Sequence, residues 1–305
     1  MARRIKVIHN PAADRGRSAG RLPEIRACLD PYGTVDLAQT ARGGDATRLA
    51  AQALGQGYDV IAACGGDGTV NEVVNGMISR PGPVERKAGG SALGIIPVGS
   101  GNDFAWGLGV NRNLRESCAR LFTEHARCID VACLRDHRGQ TQYFCNGVGL
   151  GFDAVVAREA GRIRCLGGFW KYLAGVLRAV ASCRPASATV RYDGETIAGR
   201  ILMVNVFNGR RSGGGFRVTP GAVMDDGYLD VCIVPEMNRL SMLGLIPKVL
   251  RGSHGTDRRI RMVRGRHIVV EIPGGLAMQI DGEIRSEPVR HVEVRVLQDQ
   301  LRVIA

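Results

Sequence analysis

Aromatic residues make up only 5% of this 305-residue chain, too few to build the stacking platforms that hold single-stranded nucleic acid. Lysine is nearly missing as well: Lys6, Lys87, Lys171 and Lys248 are the only ones, so arginine carries the formal net charge of +12. No apolar run approaches the roughly 20 residues that a membrane-crossing helix requires. The N-terminus, Met1-Ala2-Arg3-Arg4-Ile5-Lys6-Val7-Ile8, opens with charge, as a secretory signal does. Its apolar stretch stops at His9-Asn10-Pro11, too short for the core of a signal peptide, so it is expected to be a first strand of a cytoplasmic protein. The nine cysteines stand singly without a C-x-x-C pair, which suits reduced thiols used as small core residues. The histidines are dispersed, and no zinc site is expected. A charge of this size draws a protein toward nucleic acid, anionic membrane or phosphorylated ligands. No helix-turn-helix, zinc or RNP pattern accompanies it, so no nucleic-acid partner is expected.

What is present is the composition of an ordinary globular protein, 45% hydrophobic and 23% charged, with 42 glycines. Its length suits two domains, each with its own core. Residues 1–128 alternate between strand and helix. Strands are expected at Ile5–His9, Val35–Ala38, Asp59–Cys64 and Leu93–Val98. Helices are expected at about Ala19–Leu29, Asp45–Leu54, Thr69–Ile78, near Ala105 and at Leu114–Phe122. That order predicts a parallel sheet covered by helices. Beyond Cys128 the β-prone runs become short and are separated by turn dipeptides such as Asp193-Gly194 and Asp226-Gly227, the pattern of an antiparallel sandwich. Helical spacing interrupts it at about 155–183 and 239–263, the latter ending in an Arg-rich stretch.

Two glycine loops carry the strongest local signal. Cys64-Gly65-Gly66-Asp67-Gly68-Thr69-Val70-Asn71-Glu72 follows a buried strand and opens a helix. Its glycines permit positive φ and close approach of a ligand. Thr69 and Glu72 have the spacing of a capping box. Pro97-Val98-Gly99-Ser100-Gly101-Asn102-Asp103-Phe104-Ala105 also follows a buried strand, and Ser100 and Asp103 repeat that spacing. In a parallel sheet both loops emerge at the carboxyl edge, where helix N-termini receive phosphate. Neither matches the Rossmann or P-loop pattern.

In these loops the chain resembles the diacylglycerol kinase catalytic-domain family, which bacterial lipid kinases and sphingosine kinases share. The resemblance extends through Asn10-Pro11, Thr40 with Gly44-Asp45-Ala46, Phe144-Cys145-Asn146-Gly147 to Asp153-Ala154, Gly213-Gly214-Gly215, Asp225-Asp226-Gly227 and Asp281-Gly282-Glu283. It departs after Pro11, where the family has a glycine-rich turn and this chain has Ala12-Ala13-Asp14, and at Ser100, where the family usually has Thr. The resemblance implies an α/β domain of the NAD kinase and phosphofructokinase type over 1–128, completed by a returning strand at about 290–305. A β-sandwich domain over 129–289 would carry the catalytic acids. It further implies an ATP- and Mg²⁺-dependent kinase acting on a lipid hydroxyl, with Asn10, Thr40, Gly65, Gly66, Asp67, Gly68, Thr69, Val70, Asn71 and Ser100 around the nucleotide.

Phosphoryl transfer needs a carboxylate to accept the hydroxyl proton and others to manage Mg²⁺. Two Asp-Gly-Glu triplets compete. Asp193-Gly194-Glu195 lies between two alternating runs and reads as a hairpin turn. The resemblance assigns Asp281-Gly282-Glu283 to catalysis, with Glu283 as base and Asp281 as its acidic partner. Asp67 and Asp103 are open to two readings, a Mg²⁺ network or helix caps. By resemblance, Asp226 with the backbone carbonyls of Val223 and Tyr228 holds a structural Mg²⁺, which would keep several waters. Residues 158–184 mix arginine with Phe169, Trp170 and Tyr172, suiting either a membrane interface or a packed helix with snorkelling arginines; Arg258, Arg259 and Arg261 add charge. Peripheral contact with an anionic membrane is expected. The lipid and the oligomeric state, a homodimer included, stay open. An NAD kinase-like nucleotide kinase and a nucleic-acid-binding or regulatory protein on the same fold are the alternatives.

Overall fold

The computed structural model describes residues 3–78, 90–110, 113–163, 165–166 and 168–304. Lys87, Arg164 and Gly167, which belong to features singled out above, lie outside the described residues. The chain divides into two compact units, Met1–Ile129 with Asp299–Ala305, and Asp130–Gln298. The first contains β1 (Ile5–His9), α1 (Arg17–Gly20), α2 (Leu22–Leu29), β2 (Asp36–Gln39), α3 (Asp45–Gly55), β3 (Val60–Gly65), α4 (Asp67–Ile78), β4 (Ala92–Pro97), α5 (Asp103–Gly107) and α6 (Leu114–Arg120). The chain leaves it within β5 (Ala126–Asp136). The second unit continues with β6 (Thr141–Phe144), β7 (Gly147–Gly151), α7 (Phe152–Gly161), α8 (Gly168–Ser182), β8 (Ala186–Tyr192), β9 (Glu195–Phe207), β10 (Leu229–Pro235) and α9 (Arg239–Arg251). It ends with β11 (Arg261–Gly265), β12 (His267–Leu276), β13 (Met278–Ile280), β14 (Glu283–Ile284) and β15 (Val289–Ile304).

In the first unit β2, β1, β3 and β4 lie side by side in that order, all parallel, and the end of β15 joins β4 through Val303 opposite Leu93. β3 and β4 are buried at every position, as expected of parallel strands covered on both faces. One face packs Ile5, Val7, Val60, Ala62 and Ile96 against Ile25 and Leu114 from the helices. The helix expected over 19–29 is two pieces that meet at Arg21. Pro23 explains the break: it lacks an N–H to donate and is tolerated only in the first turn, which it occupies in α2.

The second unit is antiparallel, in the order β14-β13-β7-β9-β8-β12-β15, with β10 joining β9 and carrying β11. The Arg-rich stretch after α9 is thus partly a strand, β11, paired with β10. β9 serves two neighbourhoods: Glu195–Ile201 pairs with β8, and Met203–Phe207 lies between β7 and β10. Strand alternation sends Val204, Val206, Val148, Leu150, Met278 and Ile280 into one core. The opposite face meets α7, α8 and α9 through Val156, Val176, Met242 and Leu245. The returning strand enters the first unit only at Asp299. Residues expected from about 290 onward are held in the second unit because Val289–Arg295 pairs with β12.

Among the cysteines, Cys64, Cys118, Cys145 and Cys232 are buried, whereas Cys128 and Cys165 are exposed. Burial pushes the Cys118 thiol up to about 12, so it acts as a small apolar group. Among the described residues no helix is long and apolar enough to cross a membrane.

Candidate functional site

In the first unit the strand order reverses between β1 and β3, the point at which open parallel sheets bind ligands beyond their carboxyl ends. Asn10 follows β1, Thr40 follows β2, Gly66 follows β3 and Val98–Asn102 follows β4. Asn10 Nδ2 donates to Thr69 Oγ1 at 2.9 Å, and Asn10 Oδ1 accepts from the Ala12 N–H at 3.0 Å. The Asn-Pro corner is therefore fastened to the start of α4 even without the glycine-rich turn. The Thr40 N–H bonds the His9 carbonyl at 3.0 Å.

The two glycine loops touch. The N–H groups of Val98 and Gly99 donate to the Gly65 carbonyl at 3.0 and 3.1 Å. A Cβ on Gly99 would stand 2.3 Å from Gly66 Cα, and one on Gly65 would run into the Thr69 side chain. None of Gly65, Gly66 and Gly99 has a positive φ. They are glycine because the two loops approach closely, and the positive φ that glycine would also permit is not used. The left-handed position is Asn102, at φ 57°. Its side chain stabilises that turn, with Oδ1 accepting from Gly99 N–H at 3.1 Å and Nδ2 donating to Gly99 O at 2.8 Å.

The Thr69–Glu72 capping box does not form as expected. α4 begins at Asp67, two residues before Thr69. Glu72 Oε2 instead accepts from Ala46 N–H at 3.1 Å, at the start of α3. Asp67 Oδ1 accepts from Phe104 N–H at 2.9 Å and so caps α5, tying the first loop to the second. Asp103, the first residue of α5, is buried. Val70 and Asn71 pack inward at 3% and 2% exposure, whereas Ser100 is exposed.

In the second unit the two Asp-Gly turns have the same backbone. Asp193 and Gly194 have φ of 45° and 95°, and Asp281 and Gly282 have 46° and 88°, the paired positive values of a two-residue hairpin. Their carboxylates differ. Asp193 accepts from the N–H groups of Arg266 and His267 at 2.9 and 3.0 Å on the surface. Asp281 is 6% exposed; it accepts from Gly147 N–H at 2.7 Å and Cys145 N–H at 3.4 Å. Asp281 thereby anchors the corner between β6 and β7. Glu283, the first residue of β14, faces solvent.

Asp130 is an acid that sequence reasoning passed over. It is fully buried; Oδ2 accepts from Gly227 N–H at 2.6 Å, and its own N–H donates to Met224 O at 2.7 Å. Its signal in the sequence was a lone acid inside the apolar run Ile129-Asp130-Val131. Asp130 shapes the turn bearing Asp226, whose Oδ1 accepts from Tyr228 N–H at 3.0 Å. The other Asp226 oxygen is paired with Arg264, which also lies 3.6 Å from Asp230. Burial raises Asp230 to about 6. A divalent cation at this turn would take the place of Arg264. Among the described residues no group of three or more His, Cys, Asp or Glu side chains could hold a metal, so a Mg²⁺ would rely on carbonyls, water and phosphate oxygens.

Behind the β7–β9–β10 sheet face lies an apolar cavity of about 90 Å³. Phe152, Val156, Val176, Leu202, Met242 and Leu245 are in its wall. Asn205 and His254 also line it, and both are buried with an acceptor, Asn205 Oδ1 and His254 Nδ1, that has no partner.

Residues 4–134 match the profile of the diacylglycerol kinase catalytic domain, and 146–305 match the YegS C-terminal NAD kinase beta sandwich-like domain. The chain belongs to the diacylglycerol kinase family. It is similar to the diacylglycerol kinase of Bacillus subtilis, 28% identical over 92% of this chain and 90% of that one. It is 27% identical to the Staphylococcus saprophyticus diacylglycerol kinase over 93% and 90% of the two chains. A solved putative diacylglycerol kinase from Bacillus anthracis superposes with a TM-score of 0.78 at 27% identity, covering 99% of this chain and 96% of that one. Membership carries the family's reaction class, ATP-dependent phosphoryl transfer to a lipid hydroxyl.

Proposed function

We propose that this protein transfers the γ-phosphoryl group of Mg²⁺-bound ATP to the free hydroxyl of diacylglycerol or a closely related lipid. The observation that carries this reading is the division of labour between the two Asp-Gly-Glu turns. Only one has its Asp buried as an anchor beneath an exposed Glu. Glu283 accepts the proton of the lipid hydroxyl, and Asp281 holds the turn that presents it. Backbone N–H groups of Gly65, Gly66, Gly68 and Thr69 meet the phosphates at the start of α4. Ser100 adds its hydroxyl, while Asn10 and Thr40 shape the rim. Val70 and Asn71 seat α4 in its core. Mg²⁺ neutralises charge developing on the phosphates; Asp67 and Asp103 are the acids available to it through water. Asp226, with the carbonyls of Val223 and Tyr228, holds a structural ion when Arg264 gives way.

The cavity suits the apolar part of the lipid. Two of its helices also expose apolar residues, Trp170 at 64% and Leu177 at 52% on α8, and Leu240 at 80% on α9. Arg178, Arg239 and Arg251 stand on the same helices. Amphipathic helices of this kind settle at a membrane interface, making the enzyme a peripheral visitor to an anionic leaflet.

The test is incubation with γ-labelled ATP and a panel of diacylglycerol, phosphatidylglycerol, ceramide, a sphingoid base and NAD, followed by separation of products. Labelled phosphatidic acid is the expected product. Label in NADP alone would replace this reading by that of a nucleotide kinase.

A further inference from the structure

The acid turn is held from behind by a second, buried connection. Gly282 N–H, at the centre of the turn, donates to Gln279 Oε1 at 2.7 Å. The other end of that amide, Gln279 Nε2, donates to Asp153 Oδ2 at 2.6 Å. Gln279 is 1% exposed and sits on β13 opposite Gly149 of β7, which is itself opposite Asn205 of β9. These three positions form one row across the sheet, on the face turned away from the Val148, Val204 and Ile280 core. The Asp153 carboxylate occupies the space above Gly149, where any Cβ would overlap it. Asp153 lies in the first turn of α7 and in the wall of the apolar cavity. Burial raises it to about 6, against the hydrogen bond from Gln279.

We infer that Gln279 and Asp153 are positioning residues, a relay that fixes the Gly282 amide to the cavity wall and so sets the placement of Glu283. A buried amide that spends both ends on single partners is oriented in only one way: its oxygen must face Gly282 and its nitrogen Asp153. The cost of reversing it or leaving either end unmet keeps the hairpin from rocking. The inference rests on the reading of Glu283 as the base. It adds that the apolar cavity and the acid are mechanically joined by α7 and β13, so that the packing of the cavity wall bears on the placement of the base.

Four proteins test it: wild type, Gln279→Leu, Gln279→Glu, and the exchanged pair Asp153→Asn with Gln279→Glu. The first readout is amide exchange at Gly282 in the free protein, which needs no substrate. Gln279→Leu should lose Gly282 protection. Gln279→Glu should do the same above neutral pH, where two carboxylates oppose each other. The exchanged pair should regain it, because the amide introduced at position 153 can donate to the carboxylate placed at 279 while that group accepts from Gly282. The second readout is turnover of a short-chain diacylglycerol in detergent micelles. A misplaced catalytic group costs on the order of 10²-fold. kcat should therefore fall by roughly 10–100-fold in Gln279→Leu and Gln279→Glu, with KM for ATP unchanged, and should recover in the exchanged pair. Unaltered Gly282 exchange and kcat in Gln279→Leu would overturn the inference, as would an exchanged pair no better than Gln279→Glu alone. If wild type phosphorylates no lipid, the assignment of function fails, while Gly282 exchange still decides whether the relay exists.

Discussion

One glycine separates Asp281 from Glu283, yet the two carboxyl groups live under opposite conditions. Asp281 is buried and already accepts two backbone N–H groups. Glu283 is exposed. Glu283→Gln should lower kcat by about 10²–10⁴-fold, the usual loss for a positioned base, while calorimetry shows unchanged ATP affinity and melting temperature. Asp281→Asn should lower the melting temperature as well, because its amide nitrogen would turn a donor toward one of the Gly147 and Cys145 N–H groups. Glu195→Gln should alter neither. Loss of turnover in that variant would exchange the roles of the two turns. The resemblance singled out Asp281-Gly282-Glu283, with Glu283 as base and Asp281 as its partner, but the bonds that hold Asp281 were not legible in the sequence. The partner of Asp281 lies 134 positions away, and nothing local to Asp281-Gly282-Glu283 shows which acid faces inward. Asp130 escaped notice for the same reason, since Gly227 is 97 positions further along.

At the scale of elements, runs of buried apolar residues made β3 and β4 easy to find, and turn dipeptides marked the hairpins of the second unit. Termini were harder. Thr69 and Glu72 had the right spacing for a box, but tertiary partners claimed both: Asn10 bonds the threonine hydroxyl and Ala46 the glutamate. Of the two reasons for glycine in these loops, left-handed backbone and close approach, the structure shows close contact. That difference changes what a substitution does. Gly99→Ala adds one methyl group that runs into the Gly66 backbone and the Asn102 side chain. It should separate the loops and weaken ATP binding at least tenfold, a change of about 1.4 kcal/mol, as read by titration calorimetry on folded protein. Gly55→Ala, at a site with open space, is the matched control and should leave affinity alone. Equal affinity in the Gly99 variant would mean that the loops do not form the phosphate site.

At the scale of the molecule, the net charge of +12 is not a uniform field. Arg259 is bound to Asp257 and Ser241, and Arg264 to Asp226. Arg258 and Arg261 are exposed beside them. Each free Lys or Arg near an anionic surface contributes about 1 kcal/mol, an effect that fades within a Debye length. Sedimentation with vesicles should therefore be strong for anionic lipid at low salt and weaker at high salt. Replacing Arg258 and Arg261 by Gln should reduce it, whereas Arg259→Gln should change little. Trp170→Ala should weaken binding at every salt concentration, since it removes insertion and leaves charge intact. Equal binding to neutral and anionic vesicles would leave the exposed apolar residues of α8 and α9 as the whole attraction.

The last strand has a consequence for how the chain comes to be folded. β15 gives Val289–Arg295 to β12 and Val303 to β4, so the first unit takes its final strand from residues that follow the whole second unit. During synthesis, β1 to β4 emerge early and must wait, with one edge of β4 uncovered, until almost every later residue has been made. Sheet edges left open in this way invite pairing with the wrong chain, and closure across so long a separation is slow. The nascent first unit is therefore the stretch most in need of a chaperone's shelter, and the arrival of Val303 beside Leu93 ends that need.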